Sequence, residues 1–257
     1  MDLTACTTYL PTLILATARI AGIFLVAPVF GSSAIPARLR GFMSLVIALA
    51  VVGRLAGPAN LPEHWLELAI LLGSEVAVGA TIGYVAALVL AGVELGAVHV
   101  AQQMGVALAE VFNPQAQDGS GMMRRALGLL AVVIFLTIGG HRALIAALLR
   151  TFDTVPPGGF AGGQAVLNMV VAVLAASFTL ALKVAAPVLV ALLLATVALG
   201  LLQKTIPQCN ILSIGLGVRA MLGLVVLATA LAAMAQPVEA AWEFVLRQLP
   251  QIGQAVQ

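Results

Sequence analysis

One long apolar stretch constrains the fold of this chain more than any other feature of its sequence. It runs from about Gln164 to Lys204, and Lys183 is the only charged side chain before Lys204 at its end. About 40 residues at 1.5 Å rise form a helix of about 60 Å, whereas the hydrocarbon core of a bilayer is only about 30 Å thick. The stretch is therefore either two spans without a visible turn, or one long helix, bent at Pro187, that leaves the bilayer.

The composition of the whole chain points to a membrane protein as well. Hydrophobic residues make up 62% of the sequence and charged residues only 9%, whereas an ordinary soluble domain carries about 25% charged residues. This excludes a soluble enzyme, a disordered chain and a secreted disulfide scaffold. The length of 257 residues leaves room for about five to seven spans. We expect an all-α integral membrane protein with long kinked helices and helical hairpins.

Turn-forming sequences divide the chain into helical segments. The N-terminal segment has no Lys or Arg before its apolar run, so it is interpreted as a retained helix rather than a cleaved signal peptide. Arginines flank the segment 122–150 on both sides, which fits a helix partly enclosed by protein better than a simple span. The segments are expected at about 9–30, 41–56, 64–91, 92–112, 122–150, 164–204 and 211–235, with an amphipathic tail after Pro237.

A polar stripe marks the segment 92–112. At 100° per residue, four polar side chains fall within an arc of about 100°, while the opposite side is apolar. The stripe either lines an aqueous path or protein groove, or belongs to a helix lying in the membrane interface. Its members are His99, Gln102, Gln103 and Glu110.

Small residues and isolated charges also mark the apolar segments. Gly79-x-x-x-Gly83 and Gly92-x-x-x-Gly96 favour close helix packing, either within the chain or with partner subunits. Charges inside a membrane are costly unless they are paired. Glu75 and Lys183 are the best candidates for buried pairing, with each other or across subunits.

No catalytic or metal-binding constellation is recognisable in the sequence. The two cysteines and three histidines match no ligand spacing, and the phosphate-loop, nucleophile-elbow and His-Glu-x-x-His motifs are missing. The net charge of +2 indicates no nucleic-acid footprint. The prediction is a protein that is not an enzyme, with no cofactor and no metal.

Several stretches together resemble the FliR family of flagellar export-gate membrane proteins and its injectisome counterparts of the SctT and SpaR type. The resemblance covers nearly the whole chain, and its most specific stretch runs from Gly200 through Lys204 to Asn210. The other stretches that carry it are Arg19 to Pro28 with Phe30-Gly31 and Pro36-x-Arg38, Glu75-x-x-x-Gly79-x-x-x-Gly83, Gly140-His141-Arg142, and Thr151-Phe152-Asp153-x-x-Pro156.

The resemblance implies a subunit that assembles with FliP and FliQ into the flagellar type III export gate, with FlhB around the cytoplasmic entrance. Residues 1–163 would be the FliP-like part, and residues 164–257 a FliQ-like hairpin followed by the amphipathic tail. Unfolded flagellar proteins would cross the inner membrane through this gate, within the basal body.

The resemblance also assigns two further sites. Residues 112–123 would form a channel plug, with Phe112, Asn113, Pro114, Gln115, Asp118, Met122 and Met123 as its main members. Family members often have Asp-Pro where this chain has Asn113-Pro114, which puts a carboxylate role at that position in doubt. The tip of the long hairpin would be formed by Pro207, Gln208 and Asn210. The alternatives are an injectisome export subunit, a stand-alone secondary transporter using Glu75, Glu94 or Lys183, and a purely structural nucleus of the apparatus.

Overall fold

A computed structural model describes residues 3–32, 35–53, 62, 64–106, 119–159, 164–205 and 211–255 of the chain. Within these ranges helix is the only regular secondary structure, which confirms the predicted all-α fold class. The helices lying wholly in them are α1 (Leu3–Val26), α2 (Ala37–Val52), α3 (Trp65–Gln103), α4 (Gly119–Thr137), α5 (Gly140–Thr154), α6 (Gln164–Thr205) and α7 (Ile211–Ala255).

Four of these helices are long and apolar enough to cross a membrane. They contain the stretches Tyr9–Val26, Trp65–Gln103, Val166–Thr205 and Gly215–Gln248, and the bent pair α4 and α5 adds a fifth candidate if it counts as one span. The described residues therefore hold four or five candidate spans, at or below the lower end of the predicted five to seven.

The two longest apolar runs of the sequence are continuous helices. The segment expected at 64–91 merges with the first part of the segment expected at 92–112 into α3, which is 39 residues long. The expected helix was too long at its far end, because α3 stops at Gln103 and Gly105 has φ of 82°. The stretch after Gln164 forms α6, a helix of 42 residues that contains Pro187. At 1.5 Å per residue α6 is about 63 Å long, so the structure selects one long helix over two spans.

The segment expected at 122–150 is not continuous. It breaks between α4 and α5, and the two helices meet at an angle of 64°. Gly139 takes the left-handed backbone conformation at this point, with φ of 74°. Residues that have a Cβ adopt this conformation only at a cost in conformational energy. The apolar pattern continues across the break, so periodicity alone did not reveal it.

We expect Gly139→Ala to weaken this corner. A Cβ at Gly139 meets no atom within 4 Å, so the cost is conformational, and forcing alanine into the left-handed region lowers the free energy of unfolding by about 1–2 kcal/mol. Thermal unfolding of the purified chain in detergent measures the effect. Gly53→Ala is the matched control, because Gly53 has φ of −69° and equally open surroundings. Equal melting temperatures for both variants would contradict the assignment.

The last helix is longer than expected. The prediction ended it near residue 235 and began a separate tail at Pro237, but α7 runs without interruption from Ile211 to Ala255. Proline removes only one backbone hydrogen bond from a helix. In apolar surroundings an open helix end would leave several backbone groups unpaired, so membrane helices often continue through proline.

The chain forms two compact units. Met1–Leu88, Gly139–Leu174 and Trp242–Gln257 make up the first, and Val89–Ile138 and Ala175–Ala241 the second. Fully buried Leu15, Ile23, Leu144 and Trp242 belong to the core of the first unit. The predicted division into residues 1–163 and 164–257 rests on resemblance to other subunits. It is a different division from these two packing units, and it stays a prediction.

Candidate functional site: a buried ion-pair cluster

Arg19 of α1 and Glu75 of α3 form an ion pair inside the first unit. The Nε of Arg19 donates to Oε2 of Glu75 at 2.6 Å, and its Nη2 donates to Oε1 at 3.2 Å. Both side chains are completely buried. The planar guanidinium matches the carboxylate with two parallel hydrogen bonds, the strongest geometry for such a pair.

Arg19 also holds the end of α5. Its Nη1 donates to the backbone carbonyl of Val155 at 2.9 Å and to that of Thr151 at 3.1 Å. The Phe152 ring lies over the guanidinium, with 4.5 Å between Cζ and the ring centroid. The last carbonyls of a helix lack partners within it and carry partial negative charge. A cation at this position therefore supplies a donor to the Val155 carbonyl and a second donor to the Thr151 carbonyl, which also accepts from the N–H of Val155 at 2.9 Å.

Glu75 reaches a further backbone group beyond α5. The N–H of Gly158 donates to Oε1 of Glu75 at 2.7 Å. Gly158 has φ of 92°, and its neighbour Gly159 closes a turn by donating to the carbonyl of Pro156 at 3.0 Å. The carboxylate thus links α3 to the turn after α5. The cluster joins three helices and one turn through groups that are all hydrogen-bonded.

Glycines bring α1 and α3 close enough for this pair to form. A Cβ at Gly79 would collide with the backbone carbonyl oxygen of Arg19, and a Cβ at Gly22 with that of Val76. At Gly83 it would come within 2.9 Å of the backbone nitrogen of Ala27. The Gly79-x-x-x-Gly83 pattern is therefore used for packing within the chain.

The second glycine pattern plays the same role in the second unit. A Cβ at Gly92 would lie 2.6 Å from the carbonyl oxygen of Ser177, and one at Gly96 would lie 2.7 Å from that of Ala181. These positions join α3 to α6. Packing inside one chain accounts for both patterns, so neither requires a partner subunit.

Three members of the predicted polar stripe are visible on α3. His99, Gln102 and Gln103 are exposed, whereas Val100 and Ala101 beside them are buried. Glu110 lies outside the described residues. The two-sided character expected for this part of α3 is therefore present, and the polar side is open in the single chain.

Most of the predicted plug and the hairpin tip lie outside the described residues. This applies to Phe112, Asn113, Pro114, Gln115 and Asp118 in the plug, and to Pro207, Gln208 and Asn210 at the tip. Met122 and Met123 lie in the first turns of α4. The Met122 side chain is 74% exposed, and that of Met123 is partly buried.

The buried position expected for Lys183 is not found in the single chain. Its side chain is exposed, because the buried face of α6 follows the positions Ser177, Leu180, Ala181 and Val184. Lys183 falls outside that face. Glu75 pairs instead with Arg19, which the sequence did not single out as its partner. One sequence feature could have identified this pair, because each of the two charged residues is followed closely by a glycine. Gly22 follows Arg19 by three residues, and Gly79 follows Glu75 by four.

The described residues contain no group of three or more His, Cys, Asp or Glu side chains that are close enough to hold a metal ion. Fold and site together define an all-α, multi-span membrane protein whose first unit is organised around a buried ion pair. Comparison with known proteins narrows this class.

A family model described as bacterial export proteins, family 1, matches residues 10–245. The flagellar biosynthetic protein FliR of Bacillus subtilis is 27% identical over 213 residues, which is 80% of each chain. FliR of Escherichia coli is 28% identical over 198 residues, covering 77% of this chain and 75% of its own length. FliR of Caulobacter vibrioides is 27% identical over 235 residues, covering 90% and 92%.

The chain therefore belongs to family 1 of the bacterial export proteins, the FliR family. The resemblance read from the sequence is confirmed. Three of the stretches that carried it, around Arg19, Glu75 and Thr151-Phe152, meet in the ion-pair cluster. These three stretches therefore contribute the residues that hold the helices of the first unit together.

Proposed function

We propose that this chain is a core subunit of the flagellar type III export gate. It helps to form and close the channel through which unfolded flagellar proteins cross the bacterial inner membrane at the basal body. Family membership is the observation that carries this proposal, because the matched relatives are flagellar biosynthetic proteins. Those relatives favour flagellar over injectisome membership. The proposed role is structural and conductive rather than enzymatic.

The lengths of α6 and α7 support assembly with partner subunits. At 42 and 45 residues they are about 63 and 68 Å long, about twice the thickness of the hydrocarbon core. Much of their apolar surface is exposed, including Leu193 at 63% and Val225 at 61%. The part that lipid does not cover needs a protein partner. FliP-, FliQ- and FlhB-like subunits are the partners we propose.

Closure is assigned to the plug at residues 112–123. Met122 and Met123 stand at the start of α4, and flexible methionine side chains adapt to the irregular walls of a narrow passage. The polar side of α3, with His99 and Gln102, would line or border the path.

Deleting Asn113 to Gly121 should make cells that express the complete complex leak ions and small molecules across the inner membrane. The physical reason is the loss of the loop that positions the apolar side chains of Met122 and Met123, while α4 loses only its first residues. Dye influx and ion release measure the leak. An unchanged membrane barrier, together with normal assembly, would contradict the plug assignment.

A milder variant separates closure from assembly. Met122→Ser combined with Met123→Ser keeps the length of the loop but removes its apolar side chains, and we expect a smaller leak. Met221→Ser is the matched control, because Met221 is 72% exposed on α7, close to the exposure of Met122. Plug variants that block assembly and never leak would favour a purely structural subunit.

A further inference from the structure

A cavity opens between α6 and α7 within the second unit. Its volume is about 270 Å³, which is the share of about nine waters in the liquid. Both walls contain a glycine, and a Cβ at Gly200 would meet no atom within 4 Å. Its lining includes Thr196, Gly200, Gln203, Gly215, Leu216 and Arg219.

Arg219 is the only charged side chain among the described residues that line this cavity. Its Nε is buried and has no hydrogen-bond acceptor among the described residues. A guanidinium carries five donors and no acceptor, and a buried donor without a partner costs about 1–3 kcal/mol. The Nε of Arg219 therefore favours a bound group that supplies an acceptor oxygen.

The counter-charge for Arg219 must come from outside the hairpin. Residues 164–238 contain Lys183, Lys204 and Arg219 but neither Asp nor Glu. The hairpin from residue 164 to residue 238 therefore contains no carboxylate that can neutralise the Arg219 guanidinium. The site accordingly favours an anion supplied from outside the hairpin.

The surroundings of the cavity fit a lipid better than a free ion. Val197, Leu201 and Met221 are near the lining residues in sequence, and their side chains are 55%, 65% and 72% exposed. The cavity also lies toward the ends of two candidate spans, Val166–Thr205 and Gly215–Gln248. Phosphates of a bilayer lie just beyond its hydrocarbon core, and basic pockets between membrane helices bind anionic headgroups.

We infer that this cavity binds a phospholipid. Its phosphate accepts hydrogen bonds from Arg219, the amide of Gln203 adds a neutral donor, and an acyl chain covers the neighbouring apolar side chains. Anionic lipids bind more tightly than zwitterionic ones because the hairpin supplies only positive charge. This site is independent of the export role and can be tested on the purified full chain.

Native mass spectrometry of the detergent-purified chain, titrated with phosphatidylglycerol, tests the inference. We expect Arg219→Gln to weaken lipid retention by at least about tenfold, since hydrogen bonds to charged groups are worth about 1.5–3 kcal/mol and about 1.4 kcal/mol corresponds to a factor of ten. Arg247→Gln is the matched control, because Arg247 is an exposed arginine of the same helix that pairs with Glu243. Equal retention by both variants would overturn the inference.

A second variant tests the cavity rather than the charge. Gly200→Leu fills the space and leaves the charge of Arg219 unchanged, and we expect a similar loss of retention. Gly217→Leu is its control, because its Cβ also meets open space and Gly217 does not line the cavity. Retention that Gly200→Leu leaves unchanged would overturn the assignment.

Two further outcomes would also overturn it. One is displacement of the lipid by an equal concentration of inorganic phosphate, which would indicate a site for the free anion. The other is an assembled complex in which a photo-crosslinker at position 219 captures a partner subunit and no lipid is retained.

Discussion

Replacing Glu75 with leucine should remove most of the stability of the first unit. The substitution leaves the Arg19 guanidinium fully buried without a counter-charge and deprives the Gly158 N–H of its acceptor. Breaking a buried pair by removing one partner costs about 3–5 kcal/mol, a large part of the 5–15 kcal/mol typical of a folded protein. We expect the variant to be degraded, and its steady-state level in membranes measures this.

Two comparisons make this prediction specific. Glu67→Leu removes an exposed carboxylate from the first turn of the same helix, and we expect nearly normal levels of that variant. Arg19→Met combined with Glu75→Leu should restore part of the loss, because an apolar pair of similar size avoids the buried unpaired charge. Full recovery is not expected, since the Val155 carbonyl then loses the donor that Arg19 supplies, and the Thr151 carbonyl loses one of its donors. If Glu75→Leu accumulated like Glu67→Leu, the pair would not stabilise the unit.

Gly79→Ala should destabilise the chain although it adds only one methyl group. The new Cβ would collide with the carbonyl oxygen of Arg19, and the backbone nitrogen of Ile23 is only 3.1 Å away. Backbone atoms cannot rotate aside, so α1 must move away from α3 and the ion pair must lengthen. Overpacking of this kind costs about 1–3 kcal/mol, which thermal unfolding of the purified chain measures.

The same helix supplies a control of opposite sign. Gly73 lies two residues before Glu75, and a Cβ there meets nothing within 4 Å. Gly73→Ala should therefore raise the free energy of unfolding by about 0.5–1 kcal/mol, because alanine loses less backbone entropy in a helix. Melting temperatures that shift in the same direction for both variants would show that the close approach at Gly79 is not the cause.

The helices could be predicted from the sequence wherever an apolar run was bordered by polar or glycine-rich residues. The long helix α6 could be anticipated from its uninterrupted run. The break at Gly139 could not, because a single left-handed residue changes the chain direction without altering hydrophobicity. Pro237 produced the opposite error, since its local effect on a helix is smaller than the cost of ending α7 in apolar surroundings.

The cluster shows a different limit of sequence reasoning. Its members stand out individually, because charges and glycines are rare in apolar segments. Pairing Arg19 with Glu75 requires knowing that α1 and α3 are neighbours, over a separation of 56 residues. Lys183 was an equally reasonable partner on chemical grounds. Only the packing of the helices decides between them, and no local pattern encodes that packing.

The cluster also sets an order of events during synthesis. The ion pair needs only residues up to Glu75, but the acceptors at Thr151 and Val155 and the donor at Gly158 emerge about 80 residues later. During that interval the nascent chain holds a guanidinium and a carboxylate whose remaining hydrogen bonds are unmade. The first unit also includes Trp242–Gln257, so it closes only after the second unit has been translated. Chains interrupted before that point therefore keep an incomplete first unit, and membrane quality control has a physical basis for removing them before they join an assembly.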